Sequence, residues 1–524
     1  MLSKTIGAAV YGIDAISVTI EVSIEFGGGF TIVGLPDTAV KESGERVRCA
    51  IIDAGFKWPQ KDMVINMSPA DIRKEGSAYD LPIAIGILAS DEKVDAGRLQ
   101  RFMMMGELGL DGTLRPIKGA LPMAILAREL QLDGFILPLE NAREAAIVNN
   151  LKVYGANNLS QVIAFFNGQD SLQPTEVDTR AEFASAQGNF PYDFSEVKGQ
   201  ENVKRAFEVA CAGGHNILLI GSPGSGKSMM AKRLPSILPP LSLSEALETT
   251  KIHSVAGKLS HGTTLLTTRP FRSPHHTISP VALVGGGTYP TPGEISLAHN
   301  GILFLDELPE FTRSVLEVMR QPLEDRHITI SRAKYTTDYP ASFMLVASMN
   351  PCPCGYYGHP TKKCICSPNQ RQHYLGKISG PLLDRIDLHV EVQPVNFKEM
   401  SSKVPGEPSE AIRQRVVQAR AIQNYRFKDA PHVHCNAQMS PKMIHQWAEP
   451  DHEGLEQLKN AIERMNMSAR AYDRILKVAR TIADLDGSSR IHSRHIMEAI
   501  SYRTLDRSSY FSFSPSSWLP TTSQ

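Results

Sequence analysis

The sequence has no apolar run approaching the ~18 residues of a membrane-spanning helix, so no transmembrane segment is expected. It has no excess of charge of either sign: Lys+Arg and Asp+Glu both total 55, giving a formal net charge of zero. That balance argues against a surface coated throughout in nucleic acid, while leaving room for a local basic channel. The first twenty residues lack the basic–apolar–cleavage pattern of an export signal, because Asp14 interrupts the apolar stretch. Cysteine is sparse and odd in number, seven in all, with four close together. Without an export signal that count favours free thiols or a metal site over disulfides. The expected location is cytoplasmic. No internal repeat is visible.

What is present describes an ordinary soluble chain with ample core: 524 residues, 42% hydrophobic and 21% charged, enough for two to four domains. Residues 1–168 mix short alternating β-like runs, such as Ala15–Phe26 and Asp62–Ser68, with helical segments, an α+β pattern. Residues 169–192 are polar and without period, and read as a linker. Residues 193–396 alternate strands and helices like a nucleotide-binding α/β domain, and 397–507 are mostly helical. The Ser/Pro-rich tail, 508–524, is expected to be disordered. The fold class is therefore α/β and multidomain.

Two motifs carry the chemistry. GSPGSGKS (Gly221, Ser222, Pro223, Gly224, Ser225, Gly226, Lys227, Ser228) follows the apolar run Asn216–Ile220 and precedes a helical segment, the context a P-loop requires. Its glycines let backbone N–H groups turn inward onto phosphates. Lys227 suits the β/γ-phosphates and Ser228 suits Mg²⁺. ILFLDE (Ile302–Glu307) reads as a buried parallel strand ending in two carboxylates. Asp306 fits the Mg²⁺ shell and Glu307 a base that orients the attacking water. ATP and Mg²⁺ are the expected ligands.

Between Asp193 and Gly487 these residues resemble an AAA+ ATPase related to magnesium-chelatase subunit I. GEISLAHNGILFLDELPEF and SGPLLDRIDLHVEV are more similar still to the YifB/ComM family, a resemblance covering nearly the whole chain. It implies a P-loop α/β core with a helical lid, ATPase activity and a hexameric ring. It also implies three roles. Asn350, ending the strand of ASMNP, resembles sensor 1. Arg385 in LLDRIDL resembles an arginine finger given to the neighbouring subunit's ATP, and Arg470 in SARAYDRIL resembles sensor 2. For both arginines a surface ion pair is the plainer reading.

Two insertions bear on the substrate. Thr267–Ser296, a loop carrying Arg269, Arg272, His275 and His276, resembles the helix-2 insert that projects towards a central pore. A hairpin around Arg332, Lys334 and Tyr335 offers cations and an aromatic ring to a threaded single strand. Ordinary solvated turns are the alternative for both. Directly after Asn350, Cys352, Cys354, Cys364 and Cys366 form two C-x-C pairs, which suit a structural Cys₄ zinc site. His359 replacing one thiol, and free or redox-active thiols, are the alternatives.

The N-terminal region resembles the proteolytic domain of Lon, a ribosomal-S5-domain-2-like fold. Matched through the shared motifs, the serine position falls near Asp80 with Ser77 close by, and the lysine position falls on Pro122, with Lys118 near it. Lacking a matched nucleophile–base pair, the domain reads as non-proteolytic. ComM-like members are associated with branch migration of recombination intermediates during DNA uptake, which implies an ATP-driven DNA motor here. The alternative is a protein-remodelling or chelatase-type ATPase. For the latter, no D-x-S-x-S run of an integrin-like metal site appears in the chain.

Overall fold

In strands β1 (Leu2–Tyr11) and β2 (Asp14–Glu25) the side chains largely alternate in burial, and a two-residue turn with Gly12 at φ +65° joins them. Glycine at the first turn position permits the twist that antiparallel hairpins need. The structure, a computed structural model, describes residues 2–503 apart from 170–171, 187, 189, 261, 288–289, 333–334, 396–404, 431 and 466. The expected tail and the boundary between ATPase core and lid lie outside the described residues.

Five further strands complete the first sheet: β3 (Phe30–Val33), β4 (Asp62–Ser68), β5 (Phe102–Met104), β6 (Gly134–Pro138) and β7 (Val153–Ala156), in the order β3-β4-β2-β1-β5-β6-β7. Helices α1 (Asp80–Ser90) and α2 (Ala120–Glu129) pack on it, and α1 is buried along its whole length. The stretch expected as a linker is more ordered than its polarity suggested. It carries helix α3 (Thr179–Ala186), held by an Arg143–Glu182 ion pair of 2.7 Å and by Thr264 Oγ1 donating to Glu182 at 2.6 Å. Those partners are distant in sequence, so local composition did not show them.

The second sheet is parallel throughout: β8 (Ile217–Gly221), β9 (Phe271–Arg272), β10 (Ile302–Leu305), β13 (Met344–Met349) and β14 (Leu388–Val392), ordered β9-β10-β13-β8-β14. Every residue of β8, β10 and β13 is buried, as expected of strands covered on both faces. Between β10 and β13 runs the hairpin β11 (His327–Arg332) and β12 (Tyr335–Pro340). Helix α4 (Glu201–Gly213) leads into β8, and α5 (Lys227–Ala231) leaves the loop after it.

Helix α6 (Leu243–Val255) joins the two halves, because Leu241, Ala246 and Leu265 beside and within it belong to the first domain's core. Lys251 pairs with Asp14 at 2.5 Å, the Gly119 N–H donates to Ser254 O at 3.1 Å, and Ser254 Oγ donates to buried Glu144.

The C-terminal helices pack on α4, notably α7 (Ser409–Arg426) and α8 (Ala469–Leu485). Arg474 of α8 pairs with Asp387, which also accepts from the Asn216 N–H at 2.9 Å. Burial alone would raise the Asp387 carboxyl, but Arg474 and His215 more than reverse this and hold it well below the usual carboxylate range. A depressed folded pKa gives stability that is present above the unfolded value, near 4, and lost as pH falls below it. The thermal unfolding midpoint is therefore expected to begin falling near about pH 5 and to go on falling as the pH is lowered further, and Asp387→Asn to flatten part of that slope. Among the described residues no helix is long and apolar enough to cross a membrane.

Candidate nucleotide-binding site

Strands β8, β10 and β13 are neighbours and parallel, so their C-terminal ends place three short sequences side by side. These are Gly221–Ser228, Asp306-Glu307 and Asn350. A Cβ on Gly221 would lie 2.5 Å from Val392 O, and Gly224 (φ +79°) and Gly226 (φ +89°) hold left-handed backbone. Close approach thus bars a Cβ at Gly221, and the left-handed backbone disfavours one at Gly224 and Gly226.

Lys227 Nζ donates to Gly221 O at 2.8 Å, Ser222 O at 3.0 Å and Asn350 Oδ1 at 3.3 Å. Burial lowers its pKa, opposed by Asp306 and Glu307. Ser228 Oγ donates to Asp306 Oδ2 at 2.6 Å, and Ser348 Oγ donates to Asp306 Oδ1. The Ser228 hydroxyl and the Asp306 carboxylate form a hard oxygen pair suited to Mg²⁺. Glu307 adopts φ +55°, a left-handed conformation rare outside glycine, with its side chain exposed. Its N–H donates to Asp306 Oδ1 at 3.1 Å, and His276 Nδ1 stands 4.0 Å from Glu307 Oε2. The left-handed backbone turns the Glu307 side chain away from the course of the strand.

Arg385 and Arg470 are not brought to this loop. Asp387 sits beside Asn216, where β8 begins, so Arg385 belongs to the opposite edge of the sheet from the phosphate loop. It is nearly buried, with Nη2 at 2.6 Å from Glu324 and Nη1 donating to Pro381 O at 2.6 Å. Arg470 is exposed, one helical turn before Arg474, and Arg474 anchors α8 at that same opposite edge.

Two of the residues expected to contact DNA, Arg269 and Arg272, are held by protein acceptors. The Arg269 guanidinium donates to Pro239 O at 2.6 Å, Asn300 O at 2.7 Å and Pro240 O at 3.2 Å, and pairs with Glu245 at 3.2 Å. Arg272 is bidentate with Glu294, at 2.7 and 2.8 Å. Both bind protein acceptors from other segments and so brace the fold. Arg269→Ala is expected to cost about 2 kcal/mol of stability, seen in denaturant unfolding. Of the hairpin candidates, Lys334 lies outside the described residues, as do the side chains of Arg332 and Tyr335. The backbone pairs Arg332 with Tyr335, and Tyr11 Oη donates to Thr336 O at 2.9 Å, docking the hairpin on the first domain.

The thiols of Cys352, Cys354, Cys364 and Cys366 all lie within 4.8 Å of one another. Sγ–Sγ separations of 3.4 Å (Cys352–Cys354) and 3.6 Å (Cys364 to each of these) approach the ~3.8 Å edge of a tetrahedron with Zn–S bonds of about 2.3 Å. Burial pushes Cys352 up to about 12. At Cys354 burial also raises the thiol, but N–H groups of Tyr356 and Ile365 outweigh it and bring it down to about 6. The donor set fits zinc. His359 is not part of it: its Nδ1 accepts from the backbone N–H groups of Thr361 and Lys362.

Comparison with known families matches "Magnesium chelatase, subunit ChlI" to residues 193–400, "Subunit ChlI of Mg-chelatase" to 19–141 and "Magnesium chelatase, subunit ChlI C-terminal" to 406–503. The chain is 44% identical to YifB of Escherichia coli K12 over 505 residues, 95% of this chain and 96% of that one. It is 44% identical to Competence protein ComM of Haemophilus influenzae over 502 residues, 95% and 97% of the two chains. The chain belongs to the YifB/ComM family of magnesium-chelatase-like proteins. A 38 kDa magnesium-chelatase subunit of Rhodobacter capsulatus is more distant, at 25% over 243 residues, covering 43% of this chain and 60% of that one. Membership brings an AAA+ mixed α/β fold with C-terminal helices, and implies ATPase activity, ATP and Mg²⁺ as ligands, and assembly into oligomers.

In this YifB/ComM member the position matched to the Lon serine holds a structural ion pair. Asp80 is fully buried and accepts from Arg46 Nε at 2.7 Å and Nη2 at 3.0 Å. Pro122 is buried inside α2. Ser77 and Lys118 do line one cavity of 470 Å³, but the Ser77 hydroxyl donates to the Glu107 carboxylate. Sequence reading missed Ser348, which orients Asp306, and took His276 for a basic loop residue without placing it beside Glu307. Ser348 was within reach, since it stands two residues before Asn350 on β13 and therefore shares its face.

Proposed function

We propose that this chain is an ATP-driven ring motor acting on DNA, and that its work is branch migration of recombination intermediates. The observation carrying the proposal is the convergence of Lys227, Ser228, Asp306, Glu307 and Asn350 at the ends of three adjacent parallel strands. The similarity to a competence protein over nearly the full length supports DNA as the substrate.

Lys227 compensates phosphate charge, and Ser228 with Asp306 would hold Mg²⁺, which would supply neutralising charge to the phosphates. Glu307 orients a water and takes its proton as the oxygen attacks the γ-phosphorus and the bond to ADP breaks. Asn350 aligns that water. Arg385 acts on the neighbouring subunit's ATP, and Arg470 serves as sensor 2, which gives a reason for assembly as a hexamer. Arg332, Lys334 and Tyr335 are the DNA-contacting candidates, through phosphate pairing and base stacking. The four cysteines hold a structural zinc.

ATP turnover with and without four-way-junction DNA tests this, with Lys227→Ala as the blank. A several-fold, salt-sensitive stimulation that the blank lacks is expected. Turnover indifferent to every DNA would sink the motor reading and turn attention to protein remodelling.

A further inference from the structure

The cysteine loop rests on the nucleotide loop. Gly355 holds φ +82° and lies so close to Pro223 that a Cβ there would come within 2.5 Å of its Cδ and 2.7 Å of its Cγ. Cys352 follows Asn350 by two residues and is buried. At the other end Cys366 leads into the helix Pro368–Leu375, capped by Ser367. Arg371 of that helix donates to Cys366 O at 3.2 Å and stacks 4.4 Å from the centre of the Tyr357 ring. Tyr374 of the same helix is buried close to Asn350, and burial pushes its phenol up, opposed in part by the Asn350 N–H. The four-thiol loop therefore touches the phosphate loop at Pro223 and frames Asn350 from both chain directions.

We propose that a zinc ion on Cys352, Cys354, Cys364 and Cys366 acts as a clamp on the nucleotide site, so that metal occupancy and nucleotide affinity are coupled. This rests on the ATP-binding reading of Gly221–Ser228. A loop of this length has too little apolar surface to fix its own shape, and metal ligation supplies the closure. With the clamp closed, Gly355 presses flat against Pro223 and Asn350 stays within reach of Lys227. Coupling of this kind is reciprocal: zinc tightens nucleotide binding by the same factor by which nucleotide tightens zinc.

The test uses full-length protein, metal analysis by mass spectrometry and the Kd of a fluorescent ADP analogue, neither of which depends on turnover. One zinc per chain is expected. Chelator-stripped protein should bind the analogue at least about fivefold more weakly and recover on zinc addition, and ADP should raise zinc affinity by a like factor. Gly355→Ala keeps all four thiols and should keep its zinc, yet weaken nucleotide binding, which reports on the clamp even where stripped protein fails to fold. Protein without zinc, or zinc-loaded and Gly355→Ala proteins of equal nucleotide affinity, would overturn the clamp. If wild-type protein binds the analogue only with Lys227 intact but ignores zinc, the clamp alone fails. If it binds no nucleotide at any zinc load, the ATP-site reading fails and takes the clamp with it.

Discussion

Glu307→Gln is expected to lower ATP turnover by about 10²- to 10⁴-fold while leaving nucleotide affinity at the wild-type level or tighter. The amide keeps the size of the side chain and its left-handed backbone, and it can still accept a hydrogen bond from water. What it loses is the capacity to take the proton. Asp306, oriented by Ser228 and Ser348, is untouched, so the Mg²⁺ donors remain in place. Single-turnover hydrolysis measured beside equilibrium nucleotide binding separates the two effects. A variant that hydrolyses ATP as fast as wild type would remove Glu307 from the reaction. One that no longer binds nucleotide would make it a binding residue.

Arg385→Ala is expected to cost about 10³-fold in turnover, again with nucleotide affinity preserved. The argument is one of place. Within its own chain Arg385 lies at the edge of the sheet where β8 begins, while the phosphate loop lies at the edge where β8 ends. On the proposed reading its charge serves another subunit's ATP, since it cannot reach the phosphate loop of its own chain. Its present partner is Glu324, which is 46% exposed, so the guanidinium has to exchange one acidic partner for another. Mixing Arg385→Ala protein with Lys227→Ala protein gives mixed oligomers in which, on this reading, an intact phosphate loop meets an intact arginine. Partial recovery of turnover on mixing is expected, above the small residual rate of either variant alone. No recovery, or an Arg385→Ala protein with full activity, would return Arg385 to a structural ion pair.

What the sequence disclosed and what it concealed divide along one physical line. Features written in contiguous residues were legible. A glycine-rich loop between an apolar strand and a helix, a strand ending in Asp306-Glu307, and four cysteines within fifteen residues each carry their own chemistry. Features that depend on a distant partner were not. Arg269 and Arg272 look like free loop cations until Pro239, Asn300, Glu245 and Glu294 are brought to them. Helix α3 looks like a polar linker until Arg143 and Thr264 meet Glu182. Helix α6 belongs by sequence to the ATPase core, yet the apolar residues beside and within it complete the first domain. The contact between Gly355 and Pro223 joins residues more than a hundred positions apart, and no local pattern announces it.

The most direct measurement is the movement of a labelled four-way junction by the purified oligomer, with ATP and either wild-type or Glu307→Gln protein. The account predicts that wild-type protein drives the junction to exchanged duplexes, whereas Glu307→Gln binds the junction and leaves it in place. Vigorous ATP turnover by wild-type protein with a junction that never moves would contradict it.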